Sequence, residues 1–327
     1  MKIAFFSTKS YDQTYFDQHN PGDEIAITYF DASLNEQTVN LCNGFDAVCA
    51  FVNDNLNAAV LQQLADFHIK LVALRCAGFN HVDLDTAKSL GIHIVRVPSY
   101  SPEAVAEHAV ALILTLNRKT NKAYNRVREG NFSLQGLVGF DLYGKTVGVM
   151  GTGKIGQAFC RIMLGFGCQV LAYDLYPSEA VRELGVAYVS RDELFRNSDI
   201  ISLHCPLTPE SKYMIDADMI SLMKDGVMII NTSRGGLIHT RDVIDGLKKR
   251  KIGYLGIDVY EQEEHLFFQD LSEHIIEDDM IMRLISFPNV LITAHQAFLT
   301  REALAEIAKT TLGNVRSLGT GNLQNGV

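Results

Sequence analysis

The hexapeptide Gly151-Thr152-Gly153-Lys154-Ile155-Gly156 has the G-x-G-x-x-G spacing that suits a dinucleotide pyrophosphate. The first glycine permits a tight turn, the second lets backbone approach the phosphates, and the third lets helix and strand pack closely. Thr146-Val147-Gly148-Val149-Met150 reads as the strand before the loop, and Lys154 to Phe159 as the start of a helix whose amides face the anion. A lone motif of this kind also arises in packing turns. Here an acid closes the next strand: Asp174, in Val170-Leu171-Ala172-Tyr173-Asp174, stands where a carboxylate binds the adenosine ribose hydroxyls. It would repel a 2′-phosphate, and no arginine follows it closely, so NAD is expected rather than NADP. Gly151, Gly153, Lys154, Ile155, Gly156 and Asp174 are the expected contacts.

Further polar groups fall at the ends of the strands that follow. One strand ends in His204-Cys205-Pro206-Leu207-Thr208, a proline loop able to lie against the cofactor. The next ends in Asn231-Thr232-Ser233-Arg234-Gly235-Gly236, then come Asp258-Val259-Tyr260-Glu261-Gln262-Glu263 and Thr293-Ala294-His295-Gln296. This set suits reduction of a 2-oxo acid. Hydride addition to a ketone leaves an alkoxide that needs a proton, and histidine has the suitable pKa. A carboxylate beside it favours the imidazolium. The substrate carboxylate needs a planar cation, for which arginine is better than lysine. Asp258 is expected to hold the nicotinamide end or to support the site electrostatically. Each residue alone has a plainer reading: a turn cap, a structural histidine, a solvated acidic loop. Their joint placement argues for chemistry. On the residues alone, Glu261, Glu263 and Glu264 are equally close candidates for the histidine's partner.

These groups require a parallel α/β framework to gather them, because ligands bind outside the carboxyl ends of such strands. The chain alternates short apolar runs with helical patterns. Strands are expected at 2–7, 24–31, 47–52, 70–75 and 93–97, and a second series of six at 146–150, 169–173, 200–204, 227–231, 255–258 and 290–293. The helical stretch 301–318 has no strands of its own and is expected to return to the first domain. The expected architecture is two doubly wound parallel-sheet domains. A flavodoxin-like substrate domain, residues 1–101 plus 299–327, receives a Rossmann NAD-binding domain, 102–298, as an insertion. Residues 105–116 would be the crossover helix, and the Gly- and Asn-containing end, 319–327, a loose tail.

Composition narrows the function class. The 327 residues exceed ordinary single-domain size, and 47% hydrophobic content is ample for two cores. A net charge of −9 argues against broad nucleic-acid or anionic-membrane binding, while leaving room for a local arginine. No targeting segment is visible, and the apolar stretch 104–116 is interrupted by Glu107 and His108 and too short to span a bilayer. The six cysteines form no C-x-x-C pair, so reduced thiols in a cytoplasmic protein are expected. Cys76 or Cys205 as a catalytic thiol lacks a base at a suggestive position. No metal site is expected.

Taken in order, several segments resemble the D-isomer-specific 2-hydroxyacid dehydrogenase family, and within it the fermentative D-lactate branch. They are Phe51-Val52-Asn53-Asp54, Arg75-Cys76-Ala77-Gly78-Phe79-Asn80, Val97-Pro98-Ser99-Tyr100, Pro102-Glu103-Ala104-Val105-Ala106-Glu107-His108, the glycine loop, Ser202-Leu203-His204-Cys205-Pro206, Asn231-Thr232-Ser233-Arg234-Gly235, Asp258-Val259-Tyr260-Glu261 and His295-Gln296-Ala297-Phe298-Leu299. The likeness runs nearly the whole chain. It implies that Arg234 binds the substrate carboxylate and polarises the ketone. His295 is implied as the acid in reduction and the base in oxidation, with Glu263 as its partner. Val105, Cys205, Pro206, Thr232 and Asp258 join the implied cofactor set. The amides of Ala77 and Gly78 are implied as a second carboxylate clamp, and Tyr100 and Phe298 as walls of a small pocket, with core or hinge packing their alternative.

The resemblance further implies closure about hinges near Ser101 and Phe298, and a homodimer or higher homo-oligomer. The segment 121–143, with Phe132, Leu134, Leu137, Val138 and Phe140, is either an interface arm or a loop covering its own domain. The expected activity is NADH-dependent reduction of pyruvate to D-lactate. Two alternatives stay open: a family enzyme for bulkier 2-oxo acids, and a non-catalytic NAD-sensing scaffold like corepressors that reuse this fold.

Overall fold

Parallel strands buried on both faces need hydrocarbon on both sides, and the strands here meet that need. A computed structural model describes every residue except Asp23, Gly321 and Asn322, and only the backbone of His265, Gly319 and Thr320. The chain divides into two compact units, Met1–Ser101 with Leu299–Val327, and Pro102–Phe298.

The first unit holds β1 (Lys2–Phe5), β2 (Ala26–Tyr29), β3 (Ala47–Ala50), β4 (Leu71–Leu74) and β5 (His93–Val95). They form one parallel sheet in the order β2-β1-β3-β4-β5, the flavodoxin-like arrangement. All four residues of β3 and of β4 are buried, which Ala-Val-Cys-Ala and Leu-Val-Ala-Leu make possible. The helix Arg301–Thr320 packs here, against the helix Ser10–His19 and β4. The expectation of a loose tail is corrected. Gly326 forms an antiparallel bridge to Val95, Val327 N donates to Ile94 O at 3.1 Å and Arg96 N to Asn325 O at 3.1 Å. Unpaired groups on the edge of β5 supply the reason. Gly321 and Asn322, also in that tail, lie outside the described residues.

The second unit holds β6 (Thr146–Met150), β7 (Gln169–Tyr173), β8 (Ala187–Tyr188), β9 (Ile200–Leu203), β10 (Val227–Asn231), β11 (Ile252–Ile257) and β12 (Val290–Ile292). Its parallel sheet runs β12-β11-β10-β9-β6-β7-β8, the Rossmann order extended by one strand. Seven strands replace the six expected, because β8 is a two-residue edge strand too short to leave a periodic signal. The order reverses between β6 and β9, so a crevice opens at the carboxyl end of β6. The helix Pro102–Arg118 starts with proline at its first position, where no amide partner is lost. Its Ala106, Ala109, Leu112, Ile113 and Leu116 are buried at helical spacing against the β10–β11 side. The helix ends where Lys119 takes a left-handed φ of 51°. Phe159, on the helix Lys154–Gly165, is wholly buried in the same core, which contributes about 2–3 kcal/mol. Among the described residues, no helix is long and apolar enough to cross a membrane.

Candidate active site

The backbone turns at Gly151 with φ +93°, in the region that favours glycine. A Cβ there would lie 2.7 Å from the Cys205 nitrogen and 2.8 Å from the His204 carbonyl, so the loop after β9 rests directly on the glycine turn. At Gly156 a Cβ would lie 2.0 Å from the Gly151 carbonyl oxygen, which is what close helix–strand packing demands. Gly153 is different: a Cβ there would meet nothing within 4 Å. It is the N-cap of the helix Lys154–Gly165, and among the described residues no side chain caps the amides beyond it. Open backbone, uncapped amides and a helix N-terminus together suit a pyrophosphate.

Asp174, half-buried at the end of β7, is tied to this loop. Thr152 donates to Asp174 Oδ2 twice, through its amide at 2.5 Å and its hydroxyl at 3.0 Å, while Tyr176 N donates to Oδ1 at 2.8 Å. The Tyr188 hydroxyl donates to Thr152 Oγ1 at 2.8 Å and accepts from Ser178 N at 2.8 Å. The sequence reading missed Thr152 and Tyr188. Thr152 occupies a variable place in the motif, and Tyr188 belongs to the strand without a signal.

Of the other expected cofactor contacts, Lys154 and Pro206 are exposed, Ile155 and Cys205 half-buried, and Val105 and Thr232 buried. The Thr232 hydroxyl is buried with no hydrogen-bond partner among the described residues. Burial pushes the Cys205 thiol up to about 11, so it stays protonated at neutral pH and is a poor nucleophile.

Arg234 sits in a stiff loop. Ser233 N donates to Asn231 Oδ1 at 3.0 Å, Asn231 Nδ2 to Arg234 O at 2.8 Å, and Ser233 Oγ to Cys205 O at 2.6 Å. A Cβ on Gly235 would lie 2.1 Å from the Tyr260 carbonyl carbon, so this loop lies flush on the one after β11. The guanidinium is half-buried and donates to Ser233 O at 2.6 Å. Among the described residues no carboxylate pairs with it.

His295 stands in a turn with φ +52°, a conformation that costs about 1–2 kcal/mol for a residue with a Cβ. Its Nδ1 lies 2.7 Å from Glu263 Oε1, with side-chain exposures of 16% and 21%. The other Glu263 oxygen accepts from Tyr260 N at 2.8 Å. Glu261 faces elsewhere: it accepts from the Tyr213 hydroxyl and from Thr240. The ring of Phe268 lies 5.8 Å from that of His295. Asp258 is wholly buried and its oxygens are engaged within the unit, by Thr293 Oγ1 at 2.5 Å, Gln296 N at 2.9 Å and Ala297 N at 2.8 Å. Burial alone would raise this carboxyl, but the bonds from His108, Thr293, Ala297 and Gln296 outweigh it and hold it below the usual value. The geometry thus gives Asp258 the task of shaping the His295 turn. Phe298, buried, closes the unit.

In the first unit Ala77 and Gly78 follow β4. Arg75, wholly inside, lies between the rings of Phe5 and Phe51 at 4.6 and 4.5 Å, and bonds Asp12 at 3.4 Å and Ser7 O at 2.8 Å. Arg96 donates to Ala77 O at 2.8 Å and the Cys76 thiol to Gly78 O at 3.2 Å. The carbonyls are therefore occupied, whereas the Ala77 and Gly78 amides have no acceptor among the described residues. Tyr100 is half-buried.

The family model for the D-isomer specific 2-hydroxyacid dehydrogenase NAD binding domain matches residues 110–297. The chain belongs to this dehydrogenase family. It is 56% identical to a 2-hydroxyacid dehydrogenase homolog of Haemophilus influenzae, over 99% of this chain and 98% of that one. It is 54% identical to the D-lactate dehydrogenase of Escherichia coli, over 98% of each. The crystal structure of Aquifex aeolicus D-lactate dehydrogenase complexed with NAD and lactic acid is similar to it with a TM-score of 0.88 and 35% identity, covering 98% of this chain and 96% of that one. This family member is an NAD-binding oxidoreductase with two parallel-sheet domains. The open backbone at Gly153 and the helix N-terminus beyond it fit a dinucleotide pyrophosphate.

Proposed function

We propose that this dehydrogenase interconverts pyruvate and D-lactate, with His295 as proton donor in the reducing direction. The observation that supports it most is the His295–Glu263 couple, 2.7 Å apart, at the sheet edge that also carries the glycine loop and Arg234. Bound NADH supplies the hydride. The chain supplies the rest. Glu263 accepts from Nδ1 and fixes the ring, so that in the protonated ring Nε2–H is the group that protonates the oxygen of the reduced ketone. Once the proton has moved, imidazole remains, and the reverse transfer serves oxidation. Arg234, with no carboxylate pairing it among the described residues, offers its fork to the substrate carboxylate and draws charge from the ketone. In the first unit the amides of Ala77 and Gly78, without an acceptor among the described residues, suit an anion. Within the second unit, Phe298 limits substrate size, and Val105, Cys205, Pro206 and Thr232 line the nicotinamide side. That relatives of this chain are named D-lactate dehydrogenase supports pyruvate as the 2-oxo acid in this reading.

The protein acts as a homo-oligomer in this reading. The helix Thr120–Arg128 buries none of its residues, and Phe132, Leu134, Val138 and Tyr143 beyond it are exposed. Phe140 and Leu142 turn inward, and the Phe140 backbone is bonded twice to Asn117. Exposed apolar groups in one arm suit a second copy of the chain. The decisive experiment is to follow NADH absorbance with pyruvate and with a panel of larger 2-oxo acids. Rapid loss with pyruvate is expected. Turnover of larger acids alone points to a different substrate, and none with any acid points to an NAD-sensing scaffold.

A further inference from the structure

The turn bearing His295 is assembled around one buried carboxylate. The Asp258 carbonyl accepts from His295 N at 2.7 Å, Oδ1 accepts from Thr293 Oγ1 and Gln296 N, and Oδ2 accepts from Ala297 N. Residues 293, 295, 296 and 297 are thus all tied to Asp258. The ring around that carboxylate is completed from far away in sequence. His108, on the helix Pro102–Arg118 and 185 residues before Thr293, places Nε2 3.0 Å from Thr293 Oγ1 and 3.4 Å from Asp258 Oδ1. The Thr293 hydroxyl uses its one hydrogen on Asp258, so Nε2 must be a protonated nitrogen donating to Thr293. Val105, Ala106, Ala109 and Val110 around it on the helix are all buried and small or aliphatic. Packing alone would place a hydrocarbon at 108 as well.

We propose that His108 is a positioning residue: through Thr293 and Asp258 it sets the turn that aims His295, and so governs proton transfer without touching substrate. This rests on reading His295 as the proton donor. His108→Leu removes the donor to Thr293 and frees the Thr293–Asp258 pair to rotate, which lets a turn held at positive φ relax. A misplacement of about 1 Å costs on the order of a hundredfold in such a step.

The test measures kcat and KM with pyruvate, and NADH affinity by fluorescence, for His108→Leu, His108→Gln, His295→Gln and the double variant His108→Leu/His295→Gln. The expected loss in kcat for His108→Leu is about tenfold to a hundredfold, with pyruvate KM and NADH affinity changed by less than about threefold. His108→Gln, whose amide reaches the same place as Nε2, restores most of kcat. In the His295→Gln background the leucine causes no further loss. If kcat of His108→Leu stays near wild type, or if Leu and Gln are equally impaired and the leucine effect persists without His295, the positioning role is wrong. Near-normal turnover of His295→Gln by itself overturns the proton-donor reading separately. Should His108→Leu fail to fold, Thr293→Val carries the test, with the same loss in kcat at unchanged NADH affinity expected, and unchanged kcat refuting the role.

Discussion

Gly153 and Gly156 sit three residues apart in one loop, yet an added methyl should do opposite things at the two positions. At Gly156 the new Cβ would lie 2.0 Å from the Gly151 oxygen and 3.0 Å from its carbon. Both are backbone atoms, so helix and strand must part by more than an ångström. Overpacking costs about 1–3 kcal/mol where side chains can yield, and here the upper end is expected. For a unit of this size about 3 kcal/mol corresponds to a Tm lower by roughly 6–12 °C. At Gly153 the Cβ meets nothing within 4 Å, and its φ of −63° is open to alanine. Alanine is the poorer N-cap but restricts the unfolded chain, and the two effects offset to within about 1 kcal/mol. The free protein should therefore melt almost normally. The methyl instead occupies the space needed by the pyrophosphate, so NADH affinity should fall at least about tenfold, or ~1.4 kcal/mol. Differential scanning calorimetry with and without NADH, plus a fluorescence titration, reads both effects. Gly153→Ala binding NADH as tightly as wild type would refute the placement of the phosphates, and Gly156→Ala melting normally would refute the packing argument.

Arg234→Lys should lose the bidentate fork, about 1.5–3 kcal/mol or roughly 10–150-fold in kcat/KM for pyruvate, with NADH affinity kept; unchanged kcat/KM would remove Arg234 from substrate binding. Asp174→Ala should narrow the preference for NADH over NADPH, measured as the ratio of kcat/KM values, and an unaltered ratio would undo the ribose assignment. Burial holds His204 down to about 3, and its Nδ1 has no partner among the described residues. Because the folded pKa lies below the unfolded value of 6.5, its contribution to stability is complete above that value and is lost as pH falls toward the folded one. About 2 kcal/mol should disappear by pH 5, and denaturant titration of His204→Phe should show a shallower pH dependence; an equal slope would exclude His204 as the cause. Leu134→Asp with Val138→Asp should shift sedimentation toward the monomer, whereas an unchanged oligomer would place the interface elsewhere.

Most of what the sequence alone determined is governed by short-range rules. Glycine at 151 and 156, strand periodicity at 146–150 and 227–231, and the Asp174 position follow from backbone sterics and a fixed two-residue repeat. Those rules apply wherever the segment lies, so the parallel architecture and a dinucleotide loop are legible from residues next to one another. The polar groups at successive strand ends are legible for the same reason, since all strands of a parallel sheet share one carboxyl edge. Tertiary structure decided the rest. Nothing local distinguishes Glu263 from Glu261, and only the fold brings the former to His295 and the latter to Tyr213 and Thr240. The two-residue β8, the pairing of residues 326–327 with β5, the Thr152–Asp174 bond and the ring of His108, Thr293 and Asp258 share this property. Each joins groups separated along the chain, and a buried polar group acquires its meaning from the partner that satisfies it.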